Sequence, residues 1–278
     1  MNLFQESETL EGFERKLNDE KSRINNLDLN GDNLVDYIMV TDYADGSDHT
    51  IVLSVALNSK EKQDVAAFTV QRLRNGTVQI QLIGDEALYG RNYIIEPIYN
   101  DNYNETPNPG YTGRTIVRTT TFEIAAWPVI RFIYHPSYTI WHSSWYWGYY
   151  PSYWRPWSPY YYHYYYGYHS NWYPVYYRHY RHWHQPRHIC YNNYYSSNRS
   201  YSNHVSRSIR EGKYQATYSR PEQRREGEAL YARTNSGRDT RSVTRSRSEN
   251  NSERTISNSS RELSAGSNNN GNVNKRRS

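Results

Sequence analysis

The sequence is poor in several features that usually place a protein in a class. It has one cysteine, Cys190, in 278 residues, which excludes an internal disulfide framework but leaves the redox compartment open. No stretch approaches the roughly 18 consecutive apolar residues that a membrane-spanning helix needs. The first residues, MNLFQESETLEGF, show neither the basic opening nor the apolar run of a signal peptide. Acids are scarce in the middle of the chain: between residues 111 and 200 Glu123 stands alone against eight arginines. Paired carboxylates for general acid–base chemistry are therefore missing there, which argues against an enzyme.

What the chain does have is charge segregation and a great many aromatic rings. Residues 1–110 hold 19 acidic and 9 basic side chains, whereas residues 201–278 hold 16 basic and 8 acidic ones. The overall charge of +5 thus hides an acidic head and a basic remainder. Two such halves can attract each other within or between molecules, so the basic half does not by itself require a nucleic-acid partner. The composition divides the chain into an α+β head at 1–98, a linker at 99–113, an aromatic segment at 114–195 and a disordered basic tail at 196–278.

The head reads as one helix and a small antiparallel β-meander. Leu10, Phe13 and Leu17 recur at helical spacing behind Ser7 and Thr9, either of which can cap the first turn. The period then switches to two. Strands are expected over 35–41, 49–57, 65–73 and 77–84, with a short fifth over 92–96. Asp45-Gly46 and Asn75-Gly76 are the turn signals between them. Ile51, Leu53, Val55 and Leu57 share one face, as do Ala66, Phe68 and Val70, and Val78, Ile80 and Leu82.

DLNGDNLVD, residues 28–36, places oxygens at alternate positions, a spacing that can wrap a calcium ion. Asp28, Asn30, Asp32 and Asp36 would offer side-chain oxygens and Leu34 its carbonyl. Two features separate it from an EF-hand: Asn33 replaces the glycine of the sixth place and Met39 the glutamate of the twelfth. The loop resembles the calcium loop of FG-GAP repeats, although a single copy excludes the propeller those repeats build. The other reading is a polar turn whose Asx side chains cap their own backbone. The acids that follow, Asp42, Asp45 and Asp48, read as a solvated hairpin rim.

From Trp141 to Trp183 about half the residues are Tyr or Trp, with Pro and Gly every few positions. Such a run lacks the branched aliphatic side chains of an ordinary core, and suits irregular structure that stacks or self-associates. IAAWPVIRFIYHPSY, residues 124–138, is more conventionally apolar and is expected to dock the segment onto the head. His179, His182, His184, His188 and Cys190 crowd together, which suits zinc or copper in ligand type but not in spacing, and Arg178, Arg181 and Arg187 would repel the cation. From Ser196 the chain is Ser-, Arg- and Asn-rich and is expected to be disordered, with a short helix over 221–233. Its RSRS run is similar to RNA-binding tails, but no RRM, KH or OB signature precedes it.

FERKLN, NNLDLNGDNLVDYIMV, QDVAAFTVQR, QIQLIGDEALYG, WPVIRFIYHPSY and SSWYWGYYPSYWRPW, in that order, resemble a family of secreted Gram-negative bacterial proteins without an assigned activity. The resemblance spans roughly residues 10–160. It implies a periplasmic or outer-envelope location, with other envelope components or copies of the chain itself as partners. The expected protein is a non-enzymatic envelope protein with a calcium-stiffened head and an adhesive aromatic surface. A nucleic-acid-binding protein and a histidine-based metal-binding protein are the alternatives.

Overall fold

Thr9 caps the first long helix, its hydroxyl accepting a 3.0 Å hydrogen bond from the Gly12 amide. The computed structural model describes residues 1–89, 93–99, 120–160, 165, 169, 176 and 178–211. Within them α1 (Asn2–Gln5) and α2 (Leu10–Leu17) lead to β1 (Ile38–Asp45), β2 (Asp48–Ala56), β3 (Lys62–Arg72) and β4 (Val78–Gly84). A short α3 (Glu86–Tyr89) precedes β5 (Ile94–Pro97). Then come α4 (Thr121–Ala125), α5 (Pro128–Ile133), β6 (Tyr180–Trp183), α6 (Ile189–Ser197) and α7 (Asn203–Arg210).

The six strands form one antiparallel sheet in the order β1-β2-β3-β4-β5-β6. The class is α+β with an N-terminal helix and a β-meander, as the periodicity predicts. Gly46 and Gly76 adopt positive φ at the two tight turns. Between Leu53 and Ser54 the register shifts, leaving Val65 as the extra residue of a bulge on β3.

One face of the sheet carries the main core. Ile51, Leu53, Val55, Phe68, Val70 and Ile80 lie against Phe4, Leu10, Phe13 and Leu17 of the first two helices. Phe4 and Phe68 stack at 4.2 Å, and Phe13 meets both edge-on. Ile124, Trp127, Val129, Ile130 and Ile133 belong to the same core, so the segment over 124–138 docks as its apolar character predicts. The opposite face is covered as well: Tyr194 of α6 packs on Val52 and Ala67.

Three expectations are corrected. The aromatic segment is not wholly irregular, because Tyr180–Trp183 pairs with Ile94–Pro97 and gives β5, otherwise an open edge, a second neighbour. The tail does not begin at Ser196. Ile189–Ser197 and Asn203–Arg210 form two helices, and the Ser202 hydroxyl caps the second by accepting from the Val205 amide at 3.1 Å. The linker does not begin at Tyr99, whose buried hydroxyl accepts from the Ile80 amide and donates to the Ile80 carbonyl. Residues 100–119 of the expected linker and its flank, and 212–278 with the helix expected over 221–233, lie outside the described residues.

A core that draws on residues beyond the first hundred makes a specific prediction. Replacing fully buried Ile130 by alanine should cost about 2–5 kcal/mol, the range for cavity-forming core truncations. Urea unfolding of the full chain measures this. A cost below about 0.5 kcal/mol would mean that α5 is not part of the core.

Candidate functional site

The exposed aromatic rings of the middle segment are held out by a set of buried anchors. Trp157 and Tyr160 pack with Val35 in a small core of their own. The Val35 amide donates to the Trp157 carbonyl at 2.7 Å, and the side chain of Asn26 pairs with both backbone groups of Tyr160. Tyr150 and Trp154 pack around Tyr37. Upstream, Ser143 Oγ and Trp141 Nε1 donate to the buried carboxylate of Glu14, which also accepts from Tyr37 Oη and the Val40 amide. Burial pushes the Glu14 carboxyl up, and the four donors oppose that shift.

Between these anchors the chain makes a tight aromatic turn. The amides of Tyr146 and Tyr149 each donate to the other's carbonyl, at 3.1 and 2.9 Å, with Trp147-Gly148 at the corner. Gly148 has φ 77°, the left-handed value such a corner requires of its second residue. Tyr146 and Tyr149 stack at 5.0 Å, and Trp145 lies 5.5 Å from Tyr149. Tyr146 is 60% exposed, Trp147 38% and Tyr149 53%. Tyr153, also exposed, receives the Arg15 guanidinium of α2 at 4.5 Å from its ring centre. Composition alone reveals the richness in rings but not which of them face outward. The one local signal was Gly148 between aromatic residues, a turn marker.

In the acidic loop the Asx side chains close on their own backbone. Asp28 accepts from the amides of Gly31 and Asn33 at 2.8 and 3.0 Å, Asn30 from Asp32 at 2.9 Å and Asp32 from Leu34 at 2.8 Å. Asp36 accepts from the Leu29 amide at 2.6 Å. Asn33 sits at φ 65°, tolerated there as an asparagine can be. The Leu34 side chain is exposed. Burial, followed by the charges of Asp28 and Asp32, raises the Asp36 carboxyl to about 7, and burial raises that of Asp28. Among the described residues, no group of three or more His, Cys, Asp or Glu side chains is arranged to hold a metal ion.

The histidine run is dispersed by the fold. His188 is buried at the start of α6, with its Nδ1 2.8 Å from Thr69 Oγ1, whereas Cys190, in the first turn of α6, lies beside Thr50 of β2. His182 sits in β6 near Tyr93, and His184 stacks on Trp183. Two of the three neighbouring arginines, Arg181 and Arg187, share a carboxylate partner. Glu96, fully buried, accepts from Arg181 Nε at 2.9 Å, from Arg187 Nε and Nη2 at 2.7 and 3.0 Å and from Gln81 Nε2 at 2.9 Å. Burial opposes its ionisation, but these donors more than offset burial and hold its carboxyl below the usual range. Both guanidinium groups also lie over the Trp183 ring, at 4.6 and 4.1 Å from its centre.

The expected solvated rim is corrected at its first member. Asp42 is fully buried, and its Oδ2 meets His49 Nδ1 at 2.7 Å and Tyr138 Oη at 2.8 Å. Its other oxygen has no hydrogen-bond partner among the described residues. The alternation of β1 explains the burial, since Asp42 follows Ile38 and Val40 onto the core face. Asp45 is exposed and Asp48 half-buried.

The fold and the turn together define an α+β protein whose sheet carries an anchored, partly exposed aromatic segment. Comparison of the chain with protein-family models, with curated proteins and with solved structures finds no match. No helix among the described residues is long and apolar enough to cross a membrane.

Buried His188 predicts an acid-sensitive component of stability. Burial lowers its pKa from 6.5 to about 4, so the unfolded chain binds a proton in that window that the folded ring refuses. Its contribution to stability should therefore fall as the pH drops from about 6.5 towards 4. Denaturant unfolding across that range should show a shallower acid decline for His188→Gln than for the parent, and parallel curves would contradict the assignment.

Proposed function

We propose that the protein is a non-enzymatic component of the cell envelope, periplasmic or at the outer envelope, that adheres to other envelope components or to further copies of itself through an aromatic surface. The observation that carries this reading is the turn at Tyr146–Tyr149, whose rings are exposed although the segments on either side are anchored in buried contacts. An anchored aromatic turn presents large contact area at small entropic cost, because its backbone is ordered before any partner arrives. The resemblance to secreted envelope proteins supports the location. Nucleic-acid binding draws less support: Arg181, Arg187 and Arg199 are taken up by Glu96 and Asp85 rather than left to meet phosphates. Histidine-based metal handling draws none from the described residues.

A triple variant, Tyr146→Ala with Trp147→Ala and Tyr149→Ala, tests the adhesive reading. Its binding to isolated envelope material, measured by co-sedimentation of the full chain, should weaken about tenfold or more, with little change in thermal stability. Undiminished binding would remove the turn from the account.

For the acidic loop we propose that calcium stiffens it. The support is the placing of Asp28, Asp32 and Asp36 together: above about pH 7 the ionised Asp36 bears first the cost of burial and then the repulsion of Asp28 and Asp32, and a cation would offset both. At pH 8 calcium should raise the melting midpoint of the parent but not of Asp32→Ala, by preferential binding to the folded state. Identical melting with calcium and with chelator would make the loop a self-capped polar turn.

A further inference from the structure

A cleft of about 420 Å³ lies on the α6 side of the sheet, where the outer strand β1, the segment carrying Ile140 and His142, and helix α6 meet. Its size falls in the range of small-molecule sites, which run from about 300 to 1,000 Å³. The inner wall is built. Thr50 and Tyr194 are buried there, and Tyr194 is fixed by its hydroxyl donating to Asp64. The half-buried thiol of Cys190 lies beside Thr50. The Tyr43 ring stands between the others, 5.2 Å from Tyr194 and 6.4 Å from His142.

The chemistry of the rim restricts what could enter. Asp45, His142, Asn193 and Asn198 border the cleft, and their side chains make no hydrogen bond to any described residue. Elsewhere on this face polar side chains are spoken for: Asp64 by Tyr194 and Ser200, Asp85 by Arg199. The rim therefore offers two amides with both donors and acceptors, an imidazole and a carboxylate around exposed faces of Tyr43 and Ile140. Among the described residues the lining includes the exposed carboxylate of Asp45 and neither Lys nor Arg, whereas the Asp42 side chain is buried on the other face of the sheet. An anion would be repelled, and a purely apolar ligand would leave the amides and the carboxylate to compete for water.

From this geometry we propose that the cleft is a saccharide site that takes a non-anionic sugar unit and favours an amino sugar, whose ammonium group would meet Asp45. Hydroxyl groups of the sugar meet Asn193 and Asn198, and its C–H face lies on the Tyr43 ring. The site is separate from the turn at Tyr146–Tyr149, so each can stand or fall without the other.

Cys190 supplies the readout, being the chain's single cysteine and a lining residue. Alkylation of Cys190 by iodoacetamide in the full chain would be followed with a glucosamine disaccharide, with cellobiose and with a galacturonic acid disaccharide. The glucosamine disaccharide should slow alkylation about fivefold at a concentration about four times its Kd, by simple occupancy. Cellobiose should protect at higher concentration, and the galacturonic acid disaccharide should not protect. The double variant Asn193→Ala, Asn198→Ala, both positions being exposed, should keep the parent's melting midpoint and unprotected alkylation rate but lose the protection. The Tyr146, Trp147 and Tyr149 triple variant should keep the protection, which separates this site from the adhesive turn. The proposal is overturned if none of the three sugars slows alkylation, if the acidic sugar protects as well as the basic one, or if the double variant is still protected.

Discussion

The buried carboxylates of the first hundred residues cannot be satisfied by that hundred alone. Glu96 is fully buried, and two of the three residues that donate to it, Arg181 and Arg187, arrive from the far end of the aromatic segment. Glu14 needs Ser143 and Trp141, Asp64 needs Tyr194 and the Ser200 amide, and Asp85 needs Arg199. A carboxylate taken out of water without partners costs several kcal/mol, so the sheet is completed only when the later residues lie on it. Charge segregation along the chain thus becomes charge pairing across the fold. The same pairing consumes arginines that would otherwise serve a polyanion.

The pairing also explains why aromatic residues can be so dense while only a few of them gather in a small core of their own. Trp183 packs against the guanidinium groups of Arg181 and Arg187, and Tyr194 delivers a hydroxyl to Asp64, so these rings settle on the charged pairs of the fold instead of on one another. The anchoring rings Tyr150, Trp154, Trp157 and Tyr160 gather around Val35 and Tyr37 at the end of the acidic loop. Once those are seated, the residues between anchors are left to form the exposed turn. Stability and the proposed adhesion therefore draw on the same residue type at different burial.

Much of the sheet was legible because its signals are local. Alternation placed Ile51, Leu53, Val55, Phe68, Val70 and Ile80 on the core face, and Gly46 and Gly76 sit at the turns their dipeptides mark. What was not legible is long-range. Tyr180–Trp183 carries no apolar alternation that would announce a strand, and it becomes one because Ile94–Pro97 offers an edge. The helices over 189–210 have ordinary polar sequences, and their order comes from contacts such as Ser202 with Gln63 and Val205 with the core. Asp42 reads as a loop acid beside Asp45 and Asp48, and only its partners His49 and Tyr138, the latter 96 residues away, reveal a buried one. For the candidate sites, sequence identified the acidic loop and the aromatic richness. The exposed turn and the cleft depend on which rings the fold leaves uncovered.

The central claim is that buried carboxylates of the head and arginines of the basic half hold one fold together. A double-mutant cycle on Glu96→Gln and Arg187→Ala, read by urea unfolding of the full chain, tests it most directly. The account predicts a coupling energy of about 1–3 kcal/mol, as expected for residues sharing a hydrogen-bonded ion-pair network. Additive effects, with a coupling below about 0.5 kcal/mol, would show that the pair does not join the two halves and would contradict the account.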